Sequence, residues 1–444
     1  MSKSLIVFAL LCASLSVMAG GSYAAASNDE HQGAGDSSTQ AVNSVVEWNR
    51  TLLAIVRTPG AQPGTIHPTR SFAILHAAIY DAVNAIDRTH KPYLVRLTEV
   101  SRFASQDAAA DAAAHAVLVA LYPKSQVTLD VQLQKLLSQI PDGADKAEGI
   151  TIGQTVAERI LALRSNDGSA NQPIPFVFTK TPGDYQSTPP NFPKQPQFTH
   201  WSHVTPFALG RANQFRPGPP PALTSDTYSD VFNEVKSLGM AGSTTATPDQ
   251  ALTGRFWNGA IQNYWNEIAQ TASIAHNLTT AQNARLFAVL NVTFADGVIA
   301  FYDAKYTYNF WRPVSAIRDA ALVGNPETAA DPNWLPQVGN TTPDPSYPGA
   351  HAVISAAADF VLISLFRDHP FDFTVTSEVL PGVTRSFSNF SSAAEEATLS
   401  RIFAGVHFRS DLTTGQRLGR EVADFVVDNF FTPAKGRDES ADRR

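Results

Sequence analysis

The chain reads as an all-α protein of two helical bundles, and three observations predict this. Apolar residues recur at helical spacing in block after block, strand-like alternation is nearly absent, and one proline-rich stretch divides the helical pattern in two. At 444 residues the chain exceeds what one compact core usually organises. Hydrophobic residues make up 43% and charged residues 16%, which leaves ample material for a core. The formal net charge of −7 argues against nucleic acid as the main partner. It also means that any anion bound here must find its positive charges gathered locally.

Residues 1–24 read as a secretory signal peptide. Lys3 supplies the positive start, residues 5–17 are apolar apart from Ser14 and Ser16, and Ser22-Tyr23-Ala24 offers a small-residue cleavage junction. The apolar run falls short of the roughly 20 residues a spanning helix needs. The expected location is therefore secreted or periplasmic, with no membrane contact beyond the signal and no second long hydrophobic segment. Cys12, the one cysteine, lies inside this segment. The processed chain would carry no thiol and would tolerate an oxidant at its own site. Residues 25–41 are polar and Gly/Ser-rich, as in a disordered leader.

Residues 42–165 form the first expected bundle. An apolar stripe runs through Trp48, Leu52 and Ile55, and an apolar helix over 71–86 has His76, Tyr80 and Asp81 set into it as packed residues. An Ala-rich helix over 105–121 follows, then helices over 127–140 and 146–164. Residues 166–224 hold the densest run of prolines, which cannot be regular helix. Their interspersed Phe and Trp predict that the segment packs over a surface. His200 and His203 within it lack carboxylate or thiol companions and read as surface residues. Helices resume over 228–238, 248–272 and 280–308 in a second bundle, 225–432, and a charged tail, 433–444, reads as disordered.

Three segments of this second bundle carry the chemistry. In the first, Lys305 and Arg312 are two helical turns apart, set among Tyr302, Tyr306, Tyr308, Phe310 and Trp311, and Pro313 ends or kinks their helix. A point charge and a planar fork on one face can converge on one oxyanion. In the second, Pro348, Gly349 and Ala350 lead into an apolar helix whose open N–H groups form an anion cradle, with His351 in its first turn to move a proton. In the third, Arg401 adds another fork and Gly405 a turn. His407 and Asp411 are four apart, so the carboxylate can hold Nδ1–H and leave Nε2 facing the site. No Gly-rich phosphate loop, dinucleotide fingerprint or nucleophile elbow is present.

Together these segments read Lys-x6-Arg-Pro, then Pro-Gly-Ala-His, then Ser-Arg-x5-His-x3-Asp, with Ser400 opening the third. This pattern resembles the three-part signature of the superfamily shared by vanadium-dependent haloperoxidases and type 2 phosphatidic acid phosphatases, which include acid phosphatases. The stretch from Trp48 to Asn84 also resembles the bacterial haloperoxidase-like branch. Gly349 and Ala350 stand where the family has serine and glycine; the Gly349 N–H is expected to serve in place of the missing hydroxyl.

The resemblance implies a vanadium chloroperoxidase-like fold with the active site in the C-terminal bundle. His407 would be the axial ligand of vanadate, the implied cofactor, or the nucleophile of a phosphatase using the same site for phosphate. His351 would be the acid–base residue and Asp411 would orient His407. Lys305, Arg312 and Arg401, with Gly349 and Ala350, would hold the oxyanion. The expected small-molecule partners are hydrogen peroxide and a halide, or a phosphate ester. A non-catalytic oxyanion binder is the third reading. Asp344, five residues before Gly349, lies on what would be the halide side. Pointing inward it would repel a halide and favour the phosphatase; pointing outward it is a turn residue.

Overall fold

Residues 43–367 and 371–434 are described by a computed structural model; the expected signal peptide, the leader and residues 435–444 lie outside the described residues. Helix starts follow the capping rules. Asn43 accepts the Val45 N–H to open α1 (Ser44–Arg57), and His67 followed by Pro68 opens α2 (Pro68–Asp87). Then come α3 (Gln106–Leu121), α4 (Gln126–Leu137) and α5 (Ala144–Arg164), which complete the first bundle. The alanines of α3 let α5 approach closely, and α5 answers with glycines. A Cβ added to Gly153 would lie 2.3 Å from the Ala109 carbonyl oxygen.

The second bundle contains α6 (Asp226–Leu238), α7 (Pro248–Phe256), α8 (Ile261–Ala275), α9 (Thr280–Tyr308), α10 (Pro313–Arg318) and α11 (Ala350–Phe366), then α12 (Phe390–Phe403) and α13 (Arg409–Asn429). The helix expected over 248–272 is two helices, broken at residues 257–260, where Ala260 N–H donates to Glu378 and a Cβ on Gly259 would sit 2.6 Å from the same carboxylate. Between α11 and α12 an antiparallel hairpin, β1 (Phe373–Thr376) and β2 (Thr384–Phe387), pairs Phe373 with Phe387. Four-residue strands are too short to leave an alternation that stands out in sequence.

The core is organised around α9. Thr279 and Gln282 close its first turn with a reciprocal capping box. By length and mean hydropathy α9 could cross a membrane, contrary to the expectation of no second long apolar segment, but 94% of its most apolar stretch is buried within the protein. One continuous apolar core runs from Val45 to Phe431, with α2 laid along α9. His76 stacks on Phe287, its Nε2 2.9 Å from Asn49 Oδ1, and Asp81 accepts the N–H groups of Tyr93, Leu94 and Val95. These residues hold the fold. A smaller cluster including Phe310, Trp311, Trp334, Tyr347 and Phe408 packs around α6 and α10.

The proline-rich segment lies against the second bundle. Asp296, buried on α9, accepts the N–H groups of Phe207, Ala208 and Leu209 at 2.6–2.7 Å. Gln197 N–H reaches the Pro343 carbonyl at 2.8 Å, and Tyr185 N–H the Asn309 carbonyl at 2.7 Å. These bonds satisfy a segment that cannot satisfy itself. His203 is exposed as expected, whereas His200 is buried, with Nε2 3.2 Å from the Ser169 carbonyl.

The close α3–α5 contact predicts that Gly153→Ala, despite better helix propensity, destabilises the protein by about 1–3 kcal/mol through overpacking. A melting temperature equal to or above that of the parent would contradict this.

Candidate functional site

The first two cations converge, by a different route from the one their spacing suggested. α9 stops at Asn309, whose left-handed φ of 49° returns its N–H to the Lys305 carbonyl, and Arg312 is the N-cap of α10. A helix end and a turn, not two turns of one helix, bring them together. Lys305 is fully buried and Arg312 nearly so. Both meet the carboxylate of Asp344, which points inward. Its Oδ1 lies 3.3 Å from Lys305 Nζ and accepts from Arg312 Nη2. Its Oδ2 accepts from Gln197 Nε2 at 3.2 Å and the Tyr302 hydroxyl at 3.4 Å, and its carbonyl accepts Arg312 Nε–H at 2.8 Å. Burial alone would raise the Asp344 carboxyl, but Lys305 and Arg312 outweigh it and hold it below the usual range. Burial lowers the Lys305 ammonium to about 8, against the pull of Asp344.

His407 and Asp411 pair across a helix start. Gly405, at a φ of +79°, makes the turn after α12; a Cβ there would strike the Gly239 carbonyl. Phe408 is the N-cap of α13 and Asp411 sits in its first turn. Asp411 Oδ2 accepts Phe408 N–H at 3.1 Å, His407 Nδ1–H at 3.0 Å and the Ser346 hydroxyl at 2.5 Å. That pattern assigns the proton to Nδ1 and the lone pair to Nε2, which accepts Arg312 Nη1–H at 3.0 Å. Burial, with Arg312, Lys305 and Arg401 nearby, holds His407 well below its ordinary value, as a neutral imidazole. Burial raises Asp411 to about 6, opposed by the Ser346 hydroxyl.

The break between α7 and α8 serves the remaining two groups. Arg401, in the last turn of α12 and 5% exposed, donates Nη2–H to Asn258 Oδ1 at 3.1 Å; its buried Nε and Nη1 have no partner. Burial and Arg312 lower its guanidinium to about 9. His351 donates Nε2–H to the Trp257 carbonyl at 2.9 Å, which leaves Nδ1 with the lone pair. Burial and the neighbouring Arg401 keep it neutral.

At the head of α11 one expectation fails. The Gly349 N–H is not open to an oxyanion, because it donates to the Asp411 carbonyl at 3.0 Å. The N–H groups that a helix start leaves without intrahelical acceptors are those of Ala350, His351 and Ala352. A Cβ on Gly349 would come 2.9 Å from Leu412 Cδ2, so Leu412 fills the space a serine side chain would need. Ala350 has ordinary right-handed helical backbone, so glycine's freedom is not required there.

Residues 285–436 match the family model of the second helical-bundle domain of vanadium chloroperoxidase (VCPO). Vanadium chloroperoxidase of Curvularia inaequalis is 26% identical over 487 aligned positions, covering 83% of this chain and 79% of that protein. A bacterial vanadium-dependent iodoperoxidase superposes with a TM-score of 0.75 at 25% identity, covering 88% of this chain and 97% of that one. The chain is thus similar to vanadium haloperoxidases over most of its length. A holo-type bacterial vanadium-dependent chloroperoxidase shares the fold, with a TM-score of 0.63 at 15% identity over 87% of this chain and 97% of that one.

Lys305, Arg312, Arg401, His351, His407 and Asp411 lie in one cluster, buried except for the half-buried His351. Reading the sequence missed the groups that hold them: Ser346 on Asp411, Gln197 on Asp344, and Asn258 and the Trp257 carbonyl on Arg401 and His351. Only Ser346, inside a motif, carried a signal. The three cations face two carboxylates, Asp344 and Asp411, which leaves one net positive charge. Asp344→Asn keeps the shape and removes a competitor for Lys305 and Arg312. It is expected to tighten orthophosphate binding at least tenfold, or about 1.4 kcal/mol, and to lower the melting temperature of the ligand-free protein. Calorimetric titration showing equal or weaker binding would refute this.

Proposed function

We propose that this chain is an exported, vanadate-dependent peroxidase that uses hydrogen peroxide to oxidise a halide. The reading rests above all on His407, a neutral imidazole fixed by Asp411 with its Nε2 lone pair turned toward buried cations. The names of its relatives, chloroperoxidase and iodoperoxidase, support it. The residues fit a tetrahedral oxyanion of vanadate type: two guanidinium N–H groups of Arg401 are buried without a partner beside His351 and Arg312. Vanadate held there would supply the Lewis acid that activates hydrogen peroxide.

The protein's own residues then have distinct work. His407 offers Nε2 once Arg312 turns its Nη1–H from that nitrogen to the oxyanion. Lys305, Arg312 and Arg401 neutralise the oxygens in a buried site, where each charge counts more than it would in solvent. His351, neutral and anchored through Nε2–H, can take a proton at Nδ1. Asp411 stabilises positive charge on His407.

A second reading uses the same residues to hydrolyse a phosphate monoester, with His407 as nucleophile. The inward Asp344 favours it, because a fixed carboxylate on that side of the site repels a halide.

Protein stripped of bound anion, then assayed with and without orthovanadate, separates the readings. Bromide-dependent halogenation of monochlorodimedone that requires vanadate and disappears in His407→Ala establishes the peroxidase. Hydrolysis of p-nitrophenyl phosphate inhibited by vanadate establishes the phosphatase, and silence in both assays leaves an oxyanion binder. The site also predicts a pH limb. Lys305 is charged below about 8 and loses its proton above it, so oxyanion affinity of the free protein should fall as pH rises through that value. Lys305→Arg should move the limb to higher pH; a limb unchanged in that variant assigns it elsewhere.

A further inference from the structure

The turn that follows β1 is tied to the α7–α8 break at several points. Ser377 Oγ–H donates to the Phe256 carbonyl, the last of α7, at 2.9 Å. The Tyr264 hydroxyl accepts Glu378 N–H at 2.9 Å and donates to the same carbonyl at 2.7 Å. The Glu378 carboxylate then spans the start of α8. Its Oε2 accepts Ala260 N–H at 2.8 Å, and its Oε1 accepts from Asn263 Nδ2 at 2.6 Å and from Arg57 Nε at 2.7 Å.

Ala260 is the N-cap of α8 and has no side-chain oxygen to close the first turn. In a capping box the third helical residue accepts the N-cap N–H. Here that residue is Asn263, which donates to Glu378 instead, so Glu378 takes over the role from another part of the fold. Its negative charge also suits the positive end of the helix. The segment passes close to the carboxylate at Gly259, where an added Cβ would lie 2.6 Å from Oε2.

The segment held this way, residues 257–260, carries two groups that touch the site. The Trp257 carbonyl accepts His351 Nε2–H at 2.9 Å, and Asn258 Oδ1 accepts Arg401 Nη2–H at 3.1 Å. The N–H groups of Trp257 and Asn258 bond back into α7, so the placement of this segment against α8 depends on the Glu378 bonds. We propose that Glu378 is a positioning residue of the oxyanion site. By clamping residues 257–260 it fixes the proton of His351 on Nε2, and it holds Arg401 so that Nε and Nη1 are left for the oxyanion. The part concerning Arg401 rests on the oxyanion reading of the site; the part concerning His351 does not.

Nitrogen-15 NMR of histidine-labelled protein, with His351 assigned by its loss in His351→Gln, and calorimetric titration with orthophosphate test this on folded protein. In the parent, His351 is expected as one neutral tautomer protonated at Nε2. In Glu378→Ala it becomes a mixture of both tautomers, and orthophosphate binds roughly tenfold more weakly, the usual scale for removing an outer group that orients a ligand. Glu378→Gln, which can still accept Ala260 N–H, restores both readouts toward the parent. Gly259→Ala, which crowds the carboxylate away from the segment, reproduces the Glu378→Ala result and replaces it if that variant does not fold. A parental tautomer and a parental affinity in the folded variant overturn the positioning role. A parent that binds no orthophosphate overturns the oxyanion reading, and the tautomer measurement alone then decides whether Glu378 positions His351.

Discussion

A buried guanidinium is costly unless its N–H groups find acceptors, and the way Arg312 finds them determines how the rest of the site is built. Its Nε and Nη2 engage the carbonyl and carboxylate of Asp344, and its Nη1 engages the Val406 carbonyl and His407 Nε2. One planar fork therefore fixes the loop before α11 against the turn before α13. The same fork touches both the Asp344 carboxylate and the His407 imidazole. Any ligand that takes a donor from Arg312 alters the balance for the other partner.

The electrostatics follow from burial more than from any pair. Lys305 and Arg401 are both pushed toward their neutral forms, His351 and His407 are held neutral, and Asp411 is raised, each with desolvation as the largest cause. Asp344 alone is driven toward its charged form, because it faces two cations at once. An empty cluster of three cations would be costly, and Asp344 lowers that cost. It does so at the position where an anionic ligand would otherwise be most welcome.

Most of this was legible in the sequence, for reasons that can be named. Helical periodicity and proline placement located nearly every helix, and α9 was placed at residues 280–308 from its apolar run alone. The motif side chains were legible because charge among aromatics needs a purpose. What stayed hidden was of two kinds. The α7–α8 break depends on Glu378, more than a hundred residues away, so no local pattern announced it. The uses of Gly349 N–H and Ser346 depend on Asp411 arriving from α13, and the direction of Asp344 on Gln197 and the cations. Long-range partners decided these points, and a local reading holds no information about them.

The stretch recognisable as the second helical-bundle domain begins at residue 285, inside α9, whereas α9 starts at Thr280 and is sheathed along its length by α2 and the proline-rich segment. A fragment cut at residue 285 would carry every charged side chain of the site. It would also expose the helix that positions Lys305, a surface greasy enough to seek a lipid bilayer or another copy of itself. For this architecture, grafting the chemistry into a smaller scaffold means transplanting a neighbour for α9 first.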